Sequence, residues 1–181
     1  MEFPLDKVIY STPPSPVVLV STINKEGRKN LAAFGFFMTC GANPPMVAIG
    51  VRKTIHTYKY AKEIREFVVG IPSPKIVENI WKSGGDKKGD DEFKHCKLTP
   101  IPSKKVKPFR IKECQVNLEC KFKGEIDTTD HTIILGEVIE ADINEELYDE
   151  NKVKMRYNLN SLYHITGPVF VTGEGKKIKA D

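Results

Sequence analysis

The feature that most constrains the fold is a succession of short β-branched and apolar segments separated by turn residues. Residues 17–22 read VVLVST, which is typical of a strand, and Gly27 follows in a turn where a glycine can supply positive φ. Because neighbouring strands are joined by turns, this succession favours a mainly antiparallel β architecture. We expect further strands over 31–40 (with a bulge or close approach at Gly35), 46–51, 67–71, 114–122, 132–141 and 169–172.

Two segments have helical spacing instead. Thr54 is a candidate N-cap for a short amphipathic helix over 55–65, and Ser73 with Pro74 offers an N-cap and a first position for a helix over 74–82. These few helices predict a barrel with helices outside it. A doubly wound sheet would alternate strands with helices and carry G-x-G-x-x-G after its first strand, and the sequence has neither pattern.

The 181 residues fit a single domain spanning 1–181. The stretch 83–110 contains SGGDKKGDDEF and the Pro-rich KLTPIPSKKVKPF, and we interpret it as an exposed excursion because strands resume after it. A short helix over 145–157 and an extended lead-in over 1–16 are also expected.

Composition excludes several classes of protein. No apolar run approaches the roughly 20 residues of a membrane span, and the first residues lack the features of a secretory signal. The four cysteines lack C-x-x-C spacing and the four histidines lack H-E-x-x-H spacing, so we expect no metal site. These features predict a cytoplasmic protein with reduced thiols and no membrane association.

Charge is unevenly distributed around a formal net value of +4. Residues 52–112 hold 16 Lys and Arg against 7 Asp and Glu, a net +9, whereas residues 113–150 hold 2 against 12, a net −10. The basic segment could meet a phosphate or an acidic partner, or the two segments could neutralise each other. Nucleic acid is not expected, since the phenylalanines of 34–37 sit in an apolar run rather than on an alternating aromatic and basic strand.

The stretch 17–58 has a distinctive order of features. A strand ends in Ser-Thr, a Gly turn follows, and then come Asn-x-Ala, small or hydroxyl residues, a double proline, an apolar strand and a basic residue before Thr. In this order it resembles the flavin reductase-like FMN-binding split barrels, more closely their flavoredoxin branch. The similarity continues through IREFVVGIPS, DDEFKH, IKECQVNLECKF, TDHTIILGEV and LYHITGPVF. The resemblance implies an antiparallel split β-barrel, bound FMN, and a homodimer in which the second subunit completes the flavin pocket.

The residues themselves are compatible with a flavin. Ala32, Ala33 and Gly35 would let a ring approach backbone N–H and C=O groups, and Asn30 can both donate and accept hydrogen bonds. The resemblance implies that the FMN is lined by Asn30, Leu31, Ala32, Ala33, Phe34, Thr39, Cys40, Arg52, Lys53, Thr54 and Thr57.

A phosphate seat is expected where a strand gives way to a helix. Arg52 and Lys53 supply two cations there, and the first-turn N–H groups of the helix attract anions. Three structural alternatives stay open: Asn30 only caps a turn, Thr39 is a buried strand threonine, and Thr54 is only an N-cap.

Four further side chains have two interpretations each. The resemblance implies that His131 places a nicotinamide or partner substrate at the open face of the flavin; otherwise it is a surface histidine at a hairpin end. Cys40 is a redox participant or a small buried hydrophobe. His164 approaches the site across a dimer interface or only packs, and Trp81 contacts flavin or belongs to the core or an interface.

The resemblance implies an FMN-binding oxidoreductase, of flavoredoxin or NAD(P)H:flavin reductase type, that moves hydride or electrons through FMN. Such chemistry requires no general base, since the cofactor performs it, and the sequence shows no acid–base pair. NADH or NADPH is a candidate donor, and a redox protein is a candidate partner. The alternative is a non-enzymatic flavin-binding regulatory protein on the same barrel. The sequence leaves open the donor, the acceptor and whether FMN is held tightly or exchanged.

Overall fold

The structure, a computed structural model, describes residues 4–84, 91–151 and 159–173. The strands are β1 Ser15–Pro16, β2 Val18–Ile23, β3 Lys29–Phe34, β4 Phe37–Ala42, β5 Pro45–Val51, β6 Glu66–Pro72, β7 Pro100–Ile101, β8 Arg110–Ile111, β9 Cys114–Asp127, β10 Thr132–Ile143, β11 Leu162–Thr166 and β12 Val169–Thr172. The α-helices are α1 His56–Ile64, α2 Val77–Ser83 and α3 Glu92–Cys96, and 3₁₀ turns occur at Leu5–Ser11, Pro74–Ile76 and Glu145–Leu147.

Seven strands form one antiparallel sheet in the order β3-β2-β6-β9-β10-β5-β4. β3 and β4 are its opposite edges, yet only Gly35 and Phe36 join them in the chain. Since one residue spans at most about 3.5 Å, the two edges must approach each other there. The Gly50 N–H donates to the Phe36 carbonyl at 2.8 Å, which extends the β4–β5 pairing to the residue next to Gly35. The sheet therefore curls on itself, which confirms the predicted antiparallel split β-barrel with peripheral helices.

The hydrophobic core has two parts, one on each face of the sheet. The barrel interior contains Val20, Ile49 and Phe67, and a second cluster places Leu19 against α2 and α3. Successive residues of β2 thus face different clusters. A strand buried on both faces explains why residues 17–20 are continuously apolar rather than alternating.

Two sequence predictions at the start of the chain are wrong. The single strand expected over 31–40 is two strands, because the chain leaves one sheet edge at Phe34 and enters the opposite edge at Phe37. Gly35 lies in this break instead of in a bulge. The extended lead-in expected over 1–16 contains a 3₁₀ helix at Leu5–Ser11.

The interpretation of 83–110 as an exposed excursion is wrong for much of its described part. Phe93, Cys96 and Leu98 are buried in the second core cluster. These apolar residues are separated by lysines and a histidine, so the polar composition conceals a packed helical turn. Residues 85–90 lie outside the described residues.

Buried polar groups of β9 hold the rest of this segment in place. The fully buried Glu119 carboxylate accepts hydrogen bonds from the backbone N–H groups of Lys104 at 2.8 Å and Lys105 at 2.6 Å. Asn117 likewise accepts from the Ile111 N–H at 2.8 Å. These hydrogen bonds satisfy the buried polar side chains and hold residues 104–111, the crossing segment, against the sheet.

The helices follow the predictions more closely. α1 agrees with the helix expected over 55–65, and Pro74 begins a 3₁₀ turn that leads into α2. Of the helix expected over 145–157, Glu145–Leu147 is a 3₁₀ turn, and residues 152–158 lie outside the described residues. The strand expected over 169–172 is confirmed as β12, whereas its partner β11 was not predicted.

Candidate functional site

The candidate site lies at the end of the barrel where β5 leads into α1. In the sheet register, Val51 pairs with Thr132, and Thr132 pairs with Asp127 on its other side. The turn over 52–55 therefore adjoins the β9–β10 hairpin, which carries His131. Residues far apart in sequence meet here because three strands end together.

The turn after β5 is cationic and exposed. Arg52, Lys53 and Thr54 are all open to solvent. The Lys53 Nζ lies 2.7 Å from Asp127 Oδ1, with side chains 47% and 64% exposed. This hydrogen-bonded ion pair raises the pKa of Lys53 and lowers the pKa of Asp127. Within the described residues, Arg52 forms no ion pair.

The start of α1 is not capped by a side chain. Ile55 occupies the N-cap position with extended backbone and no side-chain cap hydrogen bond, so the interpretation of Thr54 as only an N-cap is wrong. A helix start without a capping side chain leaves first-turn N–H groups with a partial positive charge. Beside Arg52 and Lys53, this end of α1 can bind an anionic group.

Asn30 connects the helix to the sheet. Its buried Nδ2 donates to Thr22 Oγ1 and to Thr57 Oγ1, both at 2.9 Å. The two amide protons thus join β3, β2 and α1, so the alternative that Asn30 only caps a turn is wrong. The contact fixes the first turn of α1, which carries Thr57, against the edge of the sheet.

β3 is an edge strand, so the backbone groups on its outer side, next to the Asn30 hydrogen bonds, are not paired with another strand of the described sheet. The Leu31 N–H donates outward to Glu92 Oε2 at 2.6 Å, although the Leu31 side chain is buried. Backbone groups alternate in direction along an antiparallel strand, so the N–H and C=O of Ala33 face the same outer edge. Burial raises the pKa of Glu92. With the small Ala32 and Ala33, this edge can be approached closely by a planar molecule.

Thr39 and Cys40 lie on β4, the other edge of the sheet, and both are exposed. The alternatives of a buried strand threonine at 39 and a small buried hydrophobe at 40 are therefore wrong. Both side chains are accessible to a ligand or to a second protein.

His131 lies at the hairpin end and is packed on one side. Its Nδ1 is 2.9 Å from Asp130 Oδ1, a contact that lowers the pKa of Asp130. Its ring meets the Phe36 ring edge-on, with centroids 5.4 Å apart, and Phe36 remains 46% exposed. Sequence reasoning did not include Phe36 in the site. Its position directly after the strand-breaking Gly35 was the available signal.

Trp81 and His164 belong to a different region. Trp81 meets Phe170 edge-on at 6.5 Å, and the two line an apolar cleft of about 310 Å³ between α2 and the β11–β12 hairpin. His164 Nε2 lies 2.9 Å from the Gly167 carbonyl oxygen. Within this chain both rings contact Phe170, away from the barrel end, and Trp81 is 50% exposed. A role of either side chain at a dimer interface stays a prediction.

The described ranges contain neither a cluster of metal-ligating side chains nor a helix that could span a membrane. No group of three or more His, Cys, Asp or Glu side chains there could hold a metal ion. Over the same residues, no helix has the length and apolarity needed to cross a membrane.

Comparisons with known proteins give similarity along most of the chain. An uncharacterized protein of Pyrococcus abyssi is 32% identical over 152 residues, which cover 84% of this chain and 87% of the relative. The structure of nitrilotriacetate monooxygenase component B from Bacillus cereus has a TM-score of 0.89 and 24% identity, covering 99% of this chain and 98% of the other. A flavoredoxin from Methanosarcina acetivorans has a TM-score of 0.81 and 28% identity, covering 99% and 94%.

The family assignment rests on the extent of the match. Residues 10–167 match the family model described as flavin reductase like domain. This range contains the whole seven-stranded sheet, the cationic turn and the β9–β10 hairpin. The chain therefore belongs to the flavin reductase-like family of FMN-binding split barrels.

Proposed function

We propose that this chain is an FMN-dependent oxidoreductase that moves hydride or electrons through bound FMN. The observation that carries the proposal is the convergence of Arg52 and Lys53 with the uncapped start of α1, beside the open edge of β3. An anion seat next to a strand edge matches a molecule with a phosphate and a flat ring. The similarity to a flavoredoxin and to a monooxygenase component of the same fold supports a redox role.

The residues present fit the phosphate of FMN. Arg52 and Lys53 would hold it together with first-turn N–H groups of α1, with Thr54 exposed beside them. Asn30 would act through the helix, since its hydrogen bond to Thr57 holds the first turn of α1 in position. The seat then depends on the fold of the barrel end and not only on two surface cations.

The flavin ring would lie along the outer edge of β3. The backbone N–H and C=O of Ala33 would donate to and accept from a ring edge there, with Ala32 and Phe34 on either side of Ala33 in β3. Thr39 and Cys40 would contact the ligand from β4. Because the Leu31 side chain is buried and its N–H donates to Glu92, its backbone carbonyl is the part that would contact a ligand.

Bound FMN supplies the capacity to accept and release hydride or electrons. The residues of this chain would bind the FMN, orient its ring and shield it from water. His131, held by Asp130 at 2.9 Å, and the exposed Phe36 ring would place a nicotinamide or another acceptor. NADH and NADPH are the proposed donors of the reductase form, and a reduced redox protein is the proposed donor of the flavoredoxin form.

A homodimer with the flavin site near its interface is part of the proposal. β4 is an edge strand whose Met38 is 59% exposed, and Phe36 precedes it with a half-exposed ring. Apolar side chains on an open edge are suited to burial against another subunit.

The first experiment identifies the chromophore of the purified protein and titrates it anaerobically with NADH and NADPH. Bleaching by a nicotinamide supports the reductase form, and bleaching only by a reduced ferredoxin-type donor supports the electron carrier. A flavin that no biological donor bleaches would favour the alternative, a flavin-binding regulatory protein.

The second experiment tests the phosphate seat. The double variant Arg52→Ala/Lys53→Ala should lose FMN affinity by about tenfold or more, because two charge-assisted contacts disappear. Lys59→Ala is the matched control, since Lys59 is an exposed lysine of the same helix. FMN occupancy that survives exhaustive dialysis of the double variant would reject the seat.

A further inference from the structure

We propose that Asp127 competes with the flavin phosphate for Lys53 and so keeps bound FMN exchangeable. The inference rests on the proposed function, since it concerns the same phosphate seat. It assigns a role in ligand release to a residue outside the expected flavin-binding set.

Asp127 has a second contact besides Lys53, at a fixed position in the sheet. Asp127 Oδ1 accepts from Lys53 Nζ at 2.7 Å and lies 3.2 Å from the Thr132 hydroxyl, which is also 3.1 Å from the Ile126 carbonyl. Thr132 is fully buried and paired in register with Asp127 across β9 and β10. Lys53 is half-exposed on a long flexible side chain in the turn before α1. A ligand that recruits Lys53 must therefore compete with the Asp127 carboxylate for its ammonium group.

Within the part of the chain that the structure describes, the competition for Lys53 involves Asp127 alone, because the neighbouring carboxylate of Glu125 is paired with another lysine. Glu125, two residues before Asp127, is bound by Lys62 Nζ at 2.8 Å, and the same ammonium donates to the Tyr58 hydroxyl at 2.9 Å. Arg52 forms no ion pair among the described residues. Of the two cations in the seat, one is thus available without exchange and the other is already paired with a carboxylate.

Competition by Asp127 should weaken phosphate binding, and the change in affinity should be small. A phosphate that reaches Lys53 either breaks the ion pair or binds next to a negative carboxylate, and both outcomes weaken phosphate binding. Exposed ion pairs of this kind change equilibria by about two- to fivefold. Riboflavin lacks the phosphate, so its affinity does not depend on Asp127.

The test is Asp127→Asn, which keeps the side-chain shape and an oxygen to accept from Thr132. Dissociation constants and release rates of FMN and riboflavin are measured by flavin fluorescence at low salt. We expect FMN to bind about two- to fivefold more tightly and leave more slowly, with riboflavin unchanged. In a Lys53→Ala background the part of the gain that comes from competition for Lys53 should disappear, so an equally large gain there would overturn the competition. Glu137→Gln is the matched control, because Glu137 forms an ion pair of the same 2.7 Å length with Lys123 away from the seat.

Failure of the inference and failure of the proposed function give different results. If the wild-type protein binds FMN but Asp127→Asn leaves its affinity unchanged or weaker, Asp127 does not compete and the inference is overturned. An equal gain for riboflavin would also overturn it. If the wild-type protein binds no flavin, both proposals fail before the variants are compared. Circular dichroism of each variant confirms that the barrel is folded.

Discussion

At the scale of single residues, one buried polar cluster of the candidate site has a structural role, since it holds the first turn of α1 against the sheet. Asn30 is the centre of this cluster, because both protons of its buried amide are used on Thr22 and Thr57. The sequence named Asn30 and Thr57 through the resemblance alone. It could not show that they pair, since 27 positions separate them and no local pattern links a strand residue to that helix turn. The fold determines this contact.

Thiol accessibility tests the residue-scale description directly. Cys40 is exposed, whereas Cys96, Cys114 and Cys120 are buried, and burial raises the pKa of the Cys114 and Cys120 thiols. Because the thiolate is the reactive form, we expect a disulfide reagent to modify one thiol rapidly in the native protein and all four after denaturation. Cys40→Ser should abolish the rapid phase. More than one rapidly reacting thiol would contradict the burial of the other three.

At the scale of elements, β9 and β10 form the longest paired strands of the sheet and end at the candidate site. Gly136 of β10 lies over the ring of Phe67 in the barrel interior. A Cβ added at Gly136 would meet Phe67 Cζ in a clash, with Cys120 Cβ 3.2 Å away. The Phe67 ring is fully buried, so it cannot move aside without disturbing the core.

Gly136→Ala should therefore destabilise the protein by about 1–3 kcal/mol through overpacking. Gly124→Ala is the matched control, because Gly124 lies on the adjoining strand and an added Cβ there meets nothing within 4 Å. Its stability should be unchanged or slightly higher. Urea unfolding midpoints of the two variants measure the difference. Equal midpoints would show that the barrel interior tolerates the extra methyl group.

Prediction at the element scale succeeded where hydrophobic period and turn residues agree, as in β2 and α1. It failed over 31–40, since a continuous apolar run carries no sign that the chain changes sheet edge at Gly35. Along β9, Asn117 and Glu119 alternate with apolar residues, a pattern that predicts a strand but does not show which of its faces is buried. Both are buried because they satisfy backbone groups of the crossing segment. Alternation of polar and apolar residues shows which side chains share a face of the strand. Only the packing of the folded chain determines which of those faces is buried.

At the scale of the whole molecule, the two oppositely charged segments lie against each other. Lys62 binds Glu125, and Lys104 lies 3.4 Å from Glu140. Arg110 also reaches Asp142 at 3.4 Å. The interpretation that 52–112 and 113–150 neutralise each other is therefore confirmed by these contacts and by Lys53–Asp127. Among the described residues, four cations of the basic segment, Lys53, Lys62, Lys104 and Arg110, pair with carboxylates of the acidic one, so the neutralisation is partial.

This charge arrangement fixes how stability changes with acid. The lysine partners lower the pKa values of Glu125 and Asp127 below their ordinary 4.5 and 3.8, so the folded state binds fewer protons than the unfolded state in that range. Their contribution to stability is present above the ordinary values and is lost as pH falls through the folded ones. Glu92 has the opposite sign, because burial raises its pKa and its contribution is lost as pH rises.

We expect the urea midpoint to fall between pH 7 and about pH 3.5 at low salt, and to fall less at about 0.5 M NaCl, since salt screens exposed pairs. Glu92→Gln isolates the opposing group: a glutamine can still accept from the Leu31 N–H, but it takes up no proton on acidification. The decline should then be steeper than in the wild-type protein. A midpoint that rises on acidification, or a shallower decline in Glu92→Gln, would contradict the assigned signs.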